Sequence, residues 1–181
     1  MQERGGRKGI SRLRVARVVG GAPHEGRLVA GPLTLRCALG RAGIRRDKRE
    51  GDGATPQGRL ALLYAFFRPG RFGRAGVAPT LRALRQGDVW CDDPASFSYN
   101  RFARDRGPWR CEALWRDDRL YDFIGVLDHN IRPRVAGRGS AIFLHVATPE
   151  LSATAGCVAL RARDLARLAP RLAPRVVIIV G

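Results

Sequence analysis

Residues 175–180 read RVVIIV. Five β-branched residues in succession are stiff at χ1 and suit a pleated backbone far better than a helix. The run shows no polar alternation, which predicts a strand covered on both faces. A chain carrying such a segment has to build a sheet around it.

Other segments supply that sheet. Residues 11–19 carry Leu13, Val15, Val18 and Val19 among arginines, a loose alternation. Residues 26–30 and 33–39 are short apolar runs bounded by Gly and Pro, a hairpin pattern. Residues 60–67, 120–127, 140–147 and 155–160 add further strand candidates. Residues 46–58, rich in Gly with a Pro and mixed charges, read as a loop. Residues 112–116 are ambiguous. Only residues 162–169 show helical spacing, with Leu165, Leu168 and Ala169 on one face, Leu172 continuing it, and Asp164 in the favourable first turn. Pro170 disturbs or ends that helix. The pattern predicts a mainly β fold, a sandwich or partly closed barrel of mixed strands with one or two short helices packed on it.

The chain has 181 residues, 45% of them hydrophobic. That is one domain's worth, enough to bury a core without staples, with residues 1–10 read as a flexible extension. The longest apolar run, residues 60–67, falls far short of the ~20 residues that span a bilayer, so no transmembrane segment is expected. The middle, residues 68–107, is loop-rich and punctuated by Trp90, Phe97, Tyr99 and Phe102, with Trp109 just beyond. Aromatics in an irregular stretch are expected to anchor it on the core.

Net charge is +17. Residues 1–49 hold 13 basic and 3 acidic side chains, so the excess is front-loaded. Such a surface attracts polyanions in general. Of the 33 basic residues only Lys8 and Lys48 are lysines. An electrostatic footprint would be served by either residue type, so the arginine bias reads as compositional, and no specific nucleic-acid partner is expected.

Four cysteines stand at 37, 91, 111 and 157, and three histidines at 24, 129 and 145. No pair has the Cys-x2–4-Cys spacing of a zinc site, so no metal is expected. Whether Cys91 and Cys111 pair is left open by sequence, which does not place their Cα atoms.

Strand alternation singles out one combination. In residues 140–147, Ile142, Leu144 and Val146 share one face, the core face, and Ala141, Phe143 and His145 the other. In residues 155–160, Val158 and Leu160 oppose Cys157 and Ala159. If the two strands are neighbours, His145 and Cys157 project away from the same core, and an imidazole comes beside a thiol. A free thiol is mostly protonated at neutral pH. An imidazole that takes its proton yields a thiolate nucleophile and can later return the proton to a leaving amine. Gly156 lets the backbone approach a substrate. The amides around Ala155 and Gly156 are candidate oxyanion donors, and Thr154 offers a hydroxyl. Taken singly, a cysteine or histidine on a strand is a packing residue.

The string GSAIFLHVATPELSATAGCVAL, with its His, spacer and Thr154-Ala155-Gly156-Cys157-Val158, resembles the L,D-transpeptidase catalytic domain, the YkuD-like family. KREGDGATPQGRLAL resembles the start of that domain. CDDPASFSYNR, LYDFIGVLDHN and the closing VVIIVG fit a bacterial branch of it. The resemblance spans about residues 28–181. It implies a β-rich fold and cysteine acyl transfer without a metal or organic cofactor. Cys157 would be the nucleophile and His145 its base, oriented by a backbone carbonyl. Phe143, Tyr99 and Asn100 are candidate substrate contacts beside Thr154. The donor would be a peptidoglycan stem tetrapeptide that loses D-alanine to form an acyl-enzyme, and an amine of a second stem would complete a 3–3 cross-link. Hydrolysis by the same pair, an L,D-carboxypeptidase, is the alternative, and a basic polyanion-binding module without catalysis is another. Many members carry Arg two places after the Cys, where this chain has Ala159. Oligomeric state is not legible. The implied substrate lies outside the cytoplasmic membrane, so the resemblance implies the bacterial cell envelope or periplasm. Residues 1–21 show no secretory signal, which leaves the cytoplasm as the alternative.

Overall fold

A computed structural model of the chain describes residues 9–73 and 80–181. The expected extension over residues 1–10 lies, for residues 1–8, outside the described residues, and Ile10 already belongs to a strand. In chain order the strands are β1 (Ile10–Arg17), β2 (Glu25–Ala30), β3 (Leu33–Ala38), β4 (Ile44–Arg45), β5 (Thr55–Pro56), β6 (Gly58–Phe67) and β7 (Leu81–Ala83). There follow β8 (Val89–Cys91), β9 (Arg101–Ala103), β10 (Cys111–Ala113), β11 (Phe123–Leu127), β12 (Phe143–Val146) and β13 (Val158–Leu160). The helix α1 (Ala162–Leu168) leads through a 3-10 turn (Ala169–Arg171) into β14 (Leu172–Val180).

Eight strands close into a barrel. The order runs β11, β12, β13, β3, β2, β1, β14, β6, and β6 pairs back to β11. Closure leaves no unpaired edge between those strands. The barrel is mixed: β1 lies parallel to β14 and β12 parallel to β13, while the other ladders in the ring are antiparallel. The fold is thus the mainly β, mixed-strand barrel with a short helix that the residue pattern predicts.

Alternation fills the interior. Leu13, Val15, Leu28, Leu62, Leu144, Val158, Leu160, Val176, Ile178 and Val180 belong to one buried cluster, and α1 adds Leu165 and Leu168. Each fully buried aliphatic side chain contributes about 1.5–3 kcal/mol relative to an exposed one. Residues 175–180 differ from expectation. Only Val176, Ile178 and Val180 are fully buried, while Val177 and Ile179, on the outer side of the wall, are half-buried. A closed barrel covers one face of each strand by itself and leaves the other to whatever packs outside.

Two strand candidates are shorter than their apolar runs. Residues 140–147 become β12 over four residues, because Ala141 takes φ +52° and leaves the extended region. Residues 155–160 become β13 over three, because Gly156 sits at φ +143°. A Cβ at Gly156 would come within 2.7 Å of the carbonyl oxygen of Ala54, so both conformation and space require glycine there.

A second cluster lies on the outer face of β11 and β12. Phe66, Trp90, Leu114, Tyr121, Ile124, Val126, Phe143 and Cys157 pack together there. A three-stranded sheet, ordered β10, β8, β9, covers that face. The anchoring role expected of the middle aromatics holds for Trp90 and Tyr99, both buried, and for half-buried Phe102. It fails for Phe97, which is 96% exposed, and Trp109, 37% exposed. Both lie on connections between the short strands rather than in them.

Candidate active site

The parallel ladder between β12 and β13 sets Leu144 against Val158 and His145 against Ala159. Leu144 and Val158 face the barrel interior, so His145 and Cys157 are on the outer side of the same wall. Both line one cavity of about 640 Å³, within the range typical of small-molecule sites. Each shows the solvent only a narrow window, 6% of His145 and 7% of Cys157.

The sulfur is held by the approach to β12. The amide of Phe143 donates to Cys157 Sγ at 3.3 Å, and Sγ–H donates to the carbonyl of Ala141 at 3.2 Å. The positive φ of Ala141 belongs to the residue that supplies this carbonyl. Asn100 supports it from behind: its Oδ1 accepts from the Ala141 amide at 3.1 Å and from Trp90 Nε1 at 3.0 Å. Its Nδ2 donates to the carbonyls of His129 and Asn130.

The imidazole is oriented by backbone. His145 Nδ1–H donates to the carbonyl of Val146 at 2.8 Å, and the Leu120 carbonyl also faces the ring. A carbonyl only accepts, so Nδ1 carries the proton and Nε2 keeps the lone pair. Tyr121 packs edge-on against His145, with ring centroids 5.3 Å apart. Burial holds the His145 pKa down, to about 4. Burial pushes the Cys157 thiol up to about 12; the charge of Glu112 adds to this, while the Phe143 amide and Lys48 oppose it. At rest the pair is therefore a neutral thiol and a neutral imidazole.

The cavity also contains charged side chains, of which sequence reasoning missed Arg41, Lys48, Glu50, Arg110, Glu112 and Arg116. Glu112, in β10, accepts from the hydroxyl of Tyr121 at 2.5 Å, and burial raises its pKa. Lys48 is 4% exposed, and its Nζ donates to Asp52 Oδ1 at 2.6 Å. Arg41, Arg110 and Arg116 line the cavity from three other segments, opposed by Glu50 and Asp92. A signal existed for Lys48, one of two lysines in so arginine-rich a chain. Glu112 lies in the segment with no clear period and offered none.

The remaining candidates sit as follows. Ala155 and Thr154 line the cavity. Thr154 Oγ1 accepts from the Gly156 amide at 3.1 Å and donates to the Cys157 carbonyl at 2.8 Å. The Gly156 N–H expected to face an oxyanion is thus engaged in closing the turn before the cysteine, and the Thr154 hydroxyl with it. Phe143 is fully buried between Trp90 and Tyr121 and meets the site through its amide rather than its ring. Tyr99 donates to Glu50 Oε2 at 2.5 Å, one layer behind the lining. Asn100 is 1% exposed and contributes to a different cavity, beside Trp90. Ala159, the position at which the resemblance implies Arg in many members, packs with Ala38, Ala147 and Leu151 and contributes to the cavity lining. The cavity's cations come from other segments instead.

Among the described residues, no group of three or more His, Cys, Asp or Glu stands close enough to hold a metal ion, and no helix is long and apolar enough to cross a membrane. No curated protein and no solved structure matches the chain. One family model does match, the YkuD L,D-transpeptidase catalytic domain, over residues 24–180. A match over nearly the whole chain, on a barrel whose outer wall brings the motif's cysteine and histidine into one cavity, makes this protein a member of the YkuD L,D-transpeptidase catalytic domain family.

Proposed function

We propose that the protein is an L,D-transpeptidase acting on peptidoglycan stem peptides, with Cys157 as nucleophile and His145 as general base. The observation that carries this reading is the shared cavity: a thiol and a backbone-oriented imidazole line one open cleft, with cations and carboxylates around it.

The pKa directions shape the mechanism. A resting thiolate–imidazolium pair is disfavoured because burial penalises both charged forms. Proton transfer from Sγ to His145 Nε2 therefore accompanies formation of the S–C bond rather than preceding it. Attack at the carbonyl before the terminal D-alanine gives a tetrahedral oxyanion. The imidazolium then protonates the departing D-alanine amine, the C–N bond breaks, and a thioester on Cys157 remains. An amine of a second stem attacks that thioester and loses its proton to His145, and the thiol leaves as the new amide forms. The Phe143 amide, already directed at the sulfur, opposes the burial penalty on developing thiolate charge. Lys48 does the same from a greater distance.

The mixed charge of the cavity suits a ligand that carries both ammonium and carboxylate groups, as a stem peptide does. Such substrates lie outside the cytoplasmic membrane, so this reading entails work in the bacterial cell envelope. The experiment is incubation with a donor tetrapeptide, with and without an acceptor stem. Release of D-alanine and a cross-linked product that requires acceptor support the reading. His145→Ala should slow the reaction by roughly 10²–10⁴-fold. Undiminished turnover in Cys157→Ala would exclude it.

A further inference from the structure

Cys91 and Cys111 face each other directly across the antiparallel ladder of β8 and β10. Both are free thiols in this structure. The flanking hydrogen bonds fix the kind of pairing. Asp92 N–H donates to the Arg110 carbonyl, and Leu114 N–H to the Asp88 carbonyl. Hydrogen-bonded pairs alternate with non-hydrogen-bonded ones, so the positions 92/110 and 88/114 make 91/111 a non-hydrogen-bonded pair. Opposed residues of that kind have Cα atoms ~4.5 Å apart and side chains on one face. A disulfide needs a Cα separation of ~4.4–6.8 Å. The register alone sets the two thiols side by side, and Cys111 Sγ also reaches the Arg106 carbonyl at 3.7 Å.

Exposure differs across the pair. Cys91 is 1% exposed, while Cys111 is half-buried and open to a reagent. The ladder matters to the site, because the residues flanking the two cysteines, Asp92, Arg110 and Glu112, line the cavity that holds Cys157. β8, β9 and β10 are three residues each, so few hydrogen bonds hold this wall.

We propose that Cys91 and Cys111 form a redox site, a cross-strand dithiol that closes to a disulfide in the presence of a small-molecule disulfide. The Cys111 thiolate attacks one sulfur of the oxidant and expels a thiolate. Cys91 then attacks the Cys111 sulfur of the mixed disulfide and expels the second. The two protons given up by the cysteines end on the two released thiols. The protein pair is oxidised by two electrons and the oxidant reduced to two thiols. Closure pins β8 to β10 beside the cavity and shortens the loop that the unfolded chain can explore between residues 91 and 111. The site is independent of the chemistry assigned to Cys157.

The test uses the full chain carrying Cys157→Ala, so that the cavity thiol does not compete, with oxidised glutathione as the oxidant at pH 8. Three thiols should fall to one on titration in denaturant. The intact mass should drop by two hydrogens, and a proteolytic peptide pair should join Cys91 to Cys111. The melting temperature should rise by about 5 °C or more. With Cys111→Ser added, the two remaining thiols should not join. Three titratable thiols after oxidation, or a bridge involving Cys37, would overturn the proposal.

Discussion

The backbone amide of Phe143 is directed at the sulfur of Cys157, 3.3 Å away. These residues lie 14 apart in sequence, Phe143 in β12 and Cys157 just before β13, and both side chains join the second, aromatic cluster. The Phe143 ring is locked between Trp90 and Tyr121, so packing of an apolar side chain aims a polar backbone group at the Cys157 sulfur.

Glu112 opposes ionisation of Cys157. Glu112→Gln removes the negative charge and keeps an oxygen to accept from Tyr121, so the thiol pKa should fall. The rate of Cys157 alkylation by iodoacetamide, followed by peptide mass spectrometry across pH, should rise at lower pH than in the native chain. An unshifted or upward-shifted profile would contradict the assigned electrostatics.

His145 couples stability to pH. Its folded pKa is held near about 4, against 6.5 for an ordinary histidine. The unfolded chain therefore binds a proton that the folded chain refuses between those values. The contribution of His145 is full above pH ~6.5, declines as pH falls to about 4, and is on the order of 3 kcal/mol at most. Urea unfolding at pH 7 and pH 4.5 should show a larger acid loss in the native chain than in His145→Gln. Equal losses would mean the imidazole is not held neutral by burial.

Asn100 is a positioning residue for the Ala141 carbonyl, which accepts the hydrogen bond from the Cys157 thiol. Asn100→Ala would leave the Trp90 indole, the Ala141 amide and two carbonyls without partners in a buried place. A stability loss of about 3 kcal/mol is expected, measurable by urea unfolding. Under conditions where the variant remains folded, it should lose turnover more than donor affinity. A loss confined to KM would instead place Asn100 against substrate.

That His145 and Cys157 share the outer side of one wall was legible because a strand has a period of two. Ile142, Leu144 and Val146 marked the inward face, and His145 had to lie opposite them. Cys157 followed by the same rule from Val158 and Leu160. The charged surround was not legible. Glu112 comes from a three-residue strand and Arg116 from the loop after it, segments with no period, and the fold alone brings them to the cavity that holds residue 157. The oxyanion role expected of Gly156 failed to show in this state because Thr154, two residues earlier, takes its amide into a side-chain turn. Residues 175–180 suggested two buried faces because apolar composition does not distinguish a sandwiched strand from a barrel strand whose outer face is half-covered.

The most direct measurement is intact-protein mass spectrometry after incubation with a stem tetrapeptide or a carbapenem. A covalent acyl adduct should form, map to the peptide containing Cys157, and be absent from Cys157→Ala. A chain that binds either compound yet gains no mass, or one that is acylated equally well without the Cys157 thiol, would contradict the account.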